Sequence, residues 1–262
     1  MTMDALELGL KDKVAIVTGG SDGLGRACAE RLAACGARVA ICARRPDVLE
    51  AAAGAIRKAT GGDVFAMPTD VTRQAEVEAF VGAVVGRFGG VDALVNNAGT
   101  SAAAPFEAVD DTTWQFDIEV KVMGAIRFCR LVLPLMKQRG GGAIVNVTTI
   151  GGKAPAARAL PTSLTRAAGI NLTKSLANEY APAGIRVNTV CLGILKSAQW
   201  TRRAKGDLDA YYREVARERR IPLGRVGEAE EFADLVAFLV SDRARFITGT
   251  AINLDGGASA VV

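Results

Sequence analysis

The run Thr18-Gly19-Gly20-Ser21-Asp22-Gly23-Leu24-Gly25 follows the apolar stretch Val14–Val17 directly and opens a helical segment directly. Glycines at a strand-to-helix junction let the backbone turn sharply and approach a pyrophosphate, whose charge is favoured by free N–H groups at the helix start. Gly19, Ser21, Asp22, Gly23, Leu24 and Gly25 are therefore candidate cofactor-binding positions. A glycine cluster by itself is equally an ordinary tight turn, and its place between the first strand and the first helix is what favours the phosphate. About twenty residues on, where a ribose-binding NAD site carries an acidic residue, the chain reads Ala43-Arg44-Arg45. The missing carboxylate removes a repulsion, and guanidiniums pair bidentately with phosphate, so NADP(H) is favoured over NAD(H). Arg44 carries this reading. Arg45 could equally be a strand-end arginine whose stem lies along apolar surface.

The 262 residues include no histidine. That removes the usual neutral-pH acid/base, every imidazole-dependent triad and most zinc-enzyme sites, so no metal is expected. The formal charge of +4 is too mild for a nucleic-acid binder. Five cysteines form no CxxC pair and read as small apolar fillers in a reducing compartment. No stretch approaches the span of a membrane helix, and Met1–Leu10 lacks the charge pattern of a signal peptide. The expectation is a cytoplasmic protein with a small-molecule substrate, and neither a nucleic-acid partner nor a membrane.

The positioning elements alternate. Short β-branched runs at 14–17, 38–42, 64–67, 92–95, 143–147, 185–190 and 250–254 are separated by amphipathic stretches at 26–35, 46–60, 73–88, 112–138, 161–180 and 228–240. This predicts βαβ units and a parallel sheet with helices on both faces, an α/β doubly wound domain spanning 1–262.

The TGxxxGxG spacing, Asp70-Val71 after the third strand, Asn96-Asn97-Ala98-Gly99 after the fourth, Asn188–Gly193 after the sixth and the closing Asp255-Gly256-Gly257 together resemble the short-chain dehydrogenase/reductase family, from Lys11 to about Gly257. The resemblance implies a Rossmann-like seven-stranded sheet of order 3-2-1-4-5-6-7 and a homodimer or homotetramer. It also implies dinucleotide contacts from Asp70, Val71, Asn97, Ala98, Gly99, Gly193 and Ile194. For Asn96 and Asn97 the other reading is an amide that ties down a turn.

In such relatives an Asn, a Ser and a Tyr-xxx-Lys pair assist hydride transfer at a carbonyl or alcohol, the Tyr acting as acid/base beside the Lys cation. Each position differs here. Thr149 stands at the Ser, Thr162 thirteen residues on at the Tyr, Arg166 at the Lys and Lys121 at the Asn. A helix keeps 162 and 166 on one face. An aliphatic hydroxyl is nonetheless a far weaker acid than a phenol, and a guanidinium does not release its proton. Tyr180 lies about 27 Å down its helix, whereas Tyr211 and Tyr212 fall in the polar segment after Gly193, which folds over the substrate in relatives.

Two roles are open for Arg166: holding the nicotinamide ribose, or forming a positive pair with Lys121 that lowers the lysine's pKa. Lys121 would then be a proton donor or a Schiff-base amine, unless it points outward and is merely solvated. Lys153 and Arg158 add charge near the same mouth. If two of these four cations face inward, the site suits an anionic substrate; if all face water, they are solubility charges. Segment 196–225, the expected substrate lid, carries nine Lys/Arg against four Asp/Glu, an excess of five. Three functions stand open: an NADP(H)-dependent oxidoreductase with an atypical site, a silent dinucleotide-binding relative, and a lysine-dependent carbon–carbon lyase.

Overall fold

The computed structural model describes residues 7–201, 204 and 206–262. Its seven strands are β1 (Val14–Thr18), β2 (Arg38–Ala43), β3 (Val64–Pro68), β4 (Ala93–Asn96), β5 (Gly142–Thr149), β6 (Ile185–Leu192) and β7 (Ala251–Leu254). They form one sheet of order β3-β2-β1-β4-β5-β6-β7, and every neighbouring pair is parallel. This is the Rossmann-like fold the sequence implied.

The helices are α1 (Gly23–Ala34), α2 (Pro46–Thr60), α3 (Gln74–Phe88), α4 (Asp111–Ile118), α5 (Gly124–Gln138), α6 (Thr162–Tyr180), α7 (Ala198–Thr201), α8 (Leu208–Glu218) and α9 (Ala229–Val240). Alternation along each strand sends side chains to opposite faces. On β1, Ala15 and Val17 join a core with Leu32 of α1, Ile56 of α2 and Phe232 of α9. Val14 and Ile16 join the opposite core, with Phe80 of α3 and Phe128 of α5. Fully burying such aromatic and aliphatic side chains contributes about 1.5–3 kcal/mol each, and the two rows fix which helices cover which face.

Four elements differ from the sequence reading by two residues or more. Helix α1 begins at Gly23 rather than Arg26, because the Asp22 carboxylate accepts the Gly23 N–H at 2.7 Å and caps the helix directly at the glycine turn. Strands β5 and β6 each run two residues further, to Thr149 and Leu192, paired throughout. The single helix expected over 112–138 is two helices joined by a π-helical turn, Glu119–Met123. Among the described residues no helix is long and apolar enough to cross a membrane.

Candidate active site

Strand order reverses between β1 and β4, and the carboxyl ends of strands beside such a switch point open a crevice. The glycine turn forms its floor. A Cβ on Gly25 would stand 2.2 Å from the Gly19 carbonyl oxygen and 2.4 Å from Asn97 Nδ2, so only glycine lets α1 approach the turn this closely. Asn97 holds the turn from the other side, donating its amide to the carbonyls of Thr18 at 2.9 Å and Gly19 at 3.3 Å. Its side chain thus does tie down a turn, within the crevice wall.

One cleft of about 500 Å³ runs from Gly19, Asp22, Gly23, Leu24 and Gly25 past Arg44, Arg45, Asn97, Ala98 and Gly99 to Thr149, Thr162, Arg166 and Gly193. Beside it, Ser21, Asp70 and Val71 line a second hollow that shares Arg44, Arg45, Ala98 and Gly99. Nearly all the sequence-predicted residues are therefore brought together. Ile194 turns its side chain elsewhere, onto the apolar cluster around Tyr212 and Val215 of α8. Arg44 and Arg45 are exposed at the lip, with no ion pair among the described residues. The cradle fits a dinucleotide: a glycine turn with no room for a Cβ at Gly20 or Gly25, and at the lip two guanidiniums with no ion pair among the described residues, where a phosphate would lie.

The inner end holds a compact charged network. The π-helical turn adds a residue to the ordinary repeat and turns Lys121 inward, where its side chain is 1% exposed. Nζ donates to an oxygen of Asp117, itself 2% exposed, and at 3.1 Å to Thr162 Oγ1. Thr165 donates its hydroxyl to the other Asp117 oxygen at 2.7 Å. Thr162 Oγ1 also accepts the Ala102 N–H at 2.9 Å. Arg166 donates to the Val147 carbonyl at 2.6 Å and lies against Gly99, where a Cβ would come within 2.8 Å of the guanidinium. Its buried Nε has no partner among the described residues, nor does Asn96 Oδ1, and both residues border a small cavity behind the site.

Burial, and secondly the facing Arg166 guanidinium, push the Lys121 ammonium down to about 8, while Asp117 pulls the other way. Burial likewise lowers Arg166 to about 10. Of the other cations read near the mouth, Lys153 is tied to the Ala251 carbonyl at 2.5 Å and Arg158 is exposed. Two cations therefore face inward, with Asp117 offsetting one of them. Sequence reasoning missed Asp117, although its place four residues before Lys121 was a usable signal.

Among the described residues, which include all three tyrosines, no tyrosine lines the cleft. Tyr212 is buried with its hydroxyl on Thr201 Oγ1 at 3.1 Å, Tyr211 packs against its ring at 5.5 Å, and Tyr180 lies under Lys137. In the expected lid, Lys196, Arg217 and Arg225 are paired with Glu228, Glu214 and Glu231, while Arg202, Arg203 and Lys205 lie outside the described residues. Trp200 borders the cleft.

Fold and cleft together define a Rossmann-like oxidoreductase-type chain with hydroxyls and buried cations at its inner end. The profile of the family described as enoyl-(acyl carrier protein) reductase matches residues 19–259. The chain belongs to the short-chain dehydrogenase/reductase family. It is 38% identical to the 3-oxoacyl-[acyl-carrier-protein] reductase of Staphylococcus epidermidis, over 94% of this chain and 98% of the relative. L-sorbose reductase from Gluconobacter frateurii, solved with NADPH and L-sorbose, superposes with a TM-score of 0.94 at 36% identity, covering 98% of this chain and 100% of that one. An NADPH-bound short-chain oxidoreductase from Pseudomonas aeruginosa, described as containing an atypical catalytic centre, also gives 0.94, at 38% identity over 97% and 99%.

Proposed function

We propose that the protein is an NADP(H)-dependent oxidoreductase acting on a small carbonyl or alcohol, with the Thr162 hydroxyl, backed by Lys121, as its proton-transfer group. One observation carries this reading. A hydroxyl has two acceptor positions and one donor. Both acceptor positions of Thr162 Oγ1 are taken, by Ala102 N–H and Lys121 Nζ, so its single O–H is left to point into the cleft it borders.

A dinucleotide held by the glycine turn and the two lip arginines would supply or receive the hydride at the substrate carbon. In reduction the carbonyl π electrons move to oxygen, which takes the Thr162 proton. Thr162 is replenished from Lys121 Nζ, which is left as a neutral amine. Oxidation reverses each proton step. Thr149, at the end of β5 on the same cleft, holds the substrate oxygen in line. Arg166 does not trade protons here; it holds Val147 and faces the ribose side past Gly99. Lys121 borders the small cavity rather than the cleft, behind Thr162, which favours a relay over Schiff-base chemistry.

The unpaired Arg44 and Arg45 at the lip, with no carboxylate at the end of β2, support a 2′-phosphate, as do the NADPH complexes of both structural relatives. Asp117, Lys121 and Arg166 leave one net positive charge, which supports an anionic or strongly polar substrate. Segment 196–225 serves as its lid, with Trp200 on the cleft wall. The exposed apolar residues Phe106, Leu164 and Phe246 support a homodimer or homotetramer, and the five free thiols support a cytoplasmic setting.

The test follows NADPH oxidation with L-sorbose and a 3-oxoacyl thioester as probes. Thr162→Ser should keep most of the turnover and Thr162→Val should lose on the order of a hundredfold or more, the range of one acid/base group. Full turnover in Thr162→Val would sink the relay. Binding of NADPH without turnover of either probe in the parent would favour the silent relative.

A further inference from the structure

Among the described residues, the relay leaves one buried carboxylate without a role. Asp117, near the end of α4, is 2% exposed, and both its oxygens are engaged, one by Lys121 Nζ and the other by Thr165 Oγ1 of α6. Resting on the relay above, we propose that Asp117 is a positioning residue of the active site: anchored by Thr165, its carboxylate keeps the Lys121 ammonium charged and aimed at Thr162 Oγ1.

A buried ammonium without an anion sheds its proton or withdraws toward water. The charged groups that face Lys121 are Asp117 from α4 and Arg166 from α6. The remaining neighbours are neutral: the Thr162 and Thr165 hydroxyls of α6, and the Asn96 and Asn146 amides that β4 and β5 turn toward the small cavity. Burial and Arg166 both push the proton off, and Asp117 alone among the charged groups opposes them. Its geometry matters equally. Nζ is shared between a carboxylate oxygen and the Thr162 hydroxyl, which borders the cleft, so the carboxylate settles where a flexible four-carbon stem points its donors. Thr165 keeps the carboxylate from turning. The Thr165 oxygen also lies 3.0 Å from the Thr162 carbonyl, which joins anchor and relay within the first turn of α6.

Asp117→Asn removes the charge while keeping the shape and an acceptor for Thr165. The readout is a 13Cε NMR titration of the Lys121 side chain in the full-length protein, assigned with Lys121→Arg, alongside the pH profile of NADPH-linked reduction of the two probes. The parent should titrate near about 8. In Asp117→Asn the midpoint should fall by on the order of one to three units, and the high-pH limb of reduction should move with it. Asp117→Glu, which restores the charge, should recover part of the shift. An unmoved midpoint, or weaker turnover at an unchanged pH profile, would show that Asp117 is only structural. If Asp117→Asn does not fold, Thr165→Val releases the anchor, and its midpoint must move the same way or the proposal fails. The relay fails separately: full turnover in Thr162→Val removes it while leaving the NMR shift intact.

Discussion

Replacing Lys121 with methionine removes an ammonium and keeps most of the stem's bulk. In the parent the lysine and Asp117 side chains are 1% and 2% exposed and in contact. The substitution strands the carboxylate, with Thr165 as its remaining hydrogen-bond donor and Arg166 as its remaining facing cation. Removing one partner of a buried pair costs about 3–5 kcal/mol. At roughly 2–4 °C per kcal/mol for a chain near this size, Tm should fall by about 6–20 °C. Adding Asp117→Leu removes the stranded charge, and since apolar replacement of a whole buried pair is often neutral, the double variant should regain most of the lost Tm. Turnover should stay low in single and double variants alike, because Thr162 has lost its proton supply in both. The assays are thermal melts of parent, both singles and the double, with NADPH-linked turnover. A single variant melting within about 2 °C of the parent, or a double no more stable than the single, would refute the buried-pair reasoning.

Arg44→Ala should weaken NADPH binding about tenfold to a hundredfold, the range of a charge-assisted hydrogen bond, and leave NADH unchanged; equal effects on both, by fluorescence titration, would remove the 2′-phosphate role. Reduction needs the Lys121 ammonium and should fall as pH rises through about 8, whereas oxidation needs the neutral amine and should rise over the same range; a flat profile in both directions contradicts the relay. Gly25→Ala drives a methyl into the Gly19 carbonyl and should cost about 1–3 kcal/mol of stability together with dinucleotide affinity, which melting and NADPH titration would detect.

The strands were legible because each is a short apolar β-branched run, and the helices because their apolar residues recur with helical spacing. Where β5 and β6 end was not, since Thr148, Thr149 and Leu192 continue the ladder only because a neighbouring strand pairs them. The π-helical turn was invisible for a related reason. Apolar periodicity shows that residues 112–138 favour helix and says nothing of one inserted residue, yet that insertion turns Lys121 inward. Asp117 was legible as a neighbour four residues away, but its burial depends on α6 closing over it through Thr165. Lys153, read beside the substrate mouth, is held by the Ala251 carbonyl, a partner 98 residues distant.

The sequence alone determined the alternating βα framework, the glycine turn and the pair of arginines in place of an acid at the end of β2, while its resemblance to the family aligned Thr149, Thr162 and Arg166. These are local or periodic features, carried by backbone propensity and side-chain alternation, and they need no distant contact to be read. Tertiary structure decided which charges became chemistry. Whether Lys121 is solvated or buried, which anion it meets, and how many acceptor positions remain on Thr162 depend on contacts between α4, the π-helical turn, α6 and the loop at Ala102. A charged group's protonation is set by what surrounds it in three dimensions, and that environment exists only once distant segments have packed together.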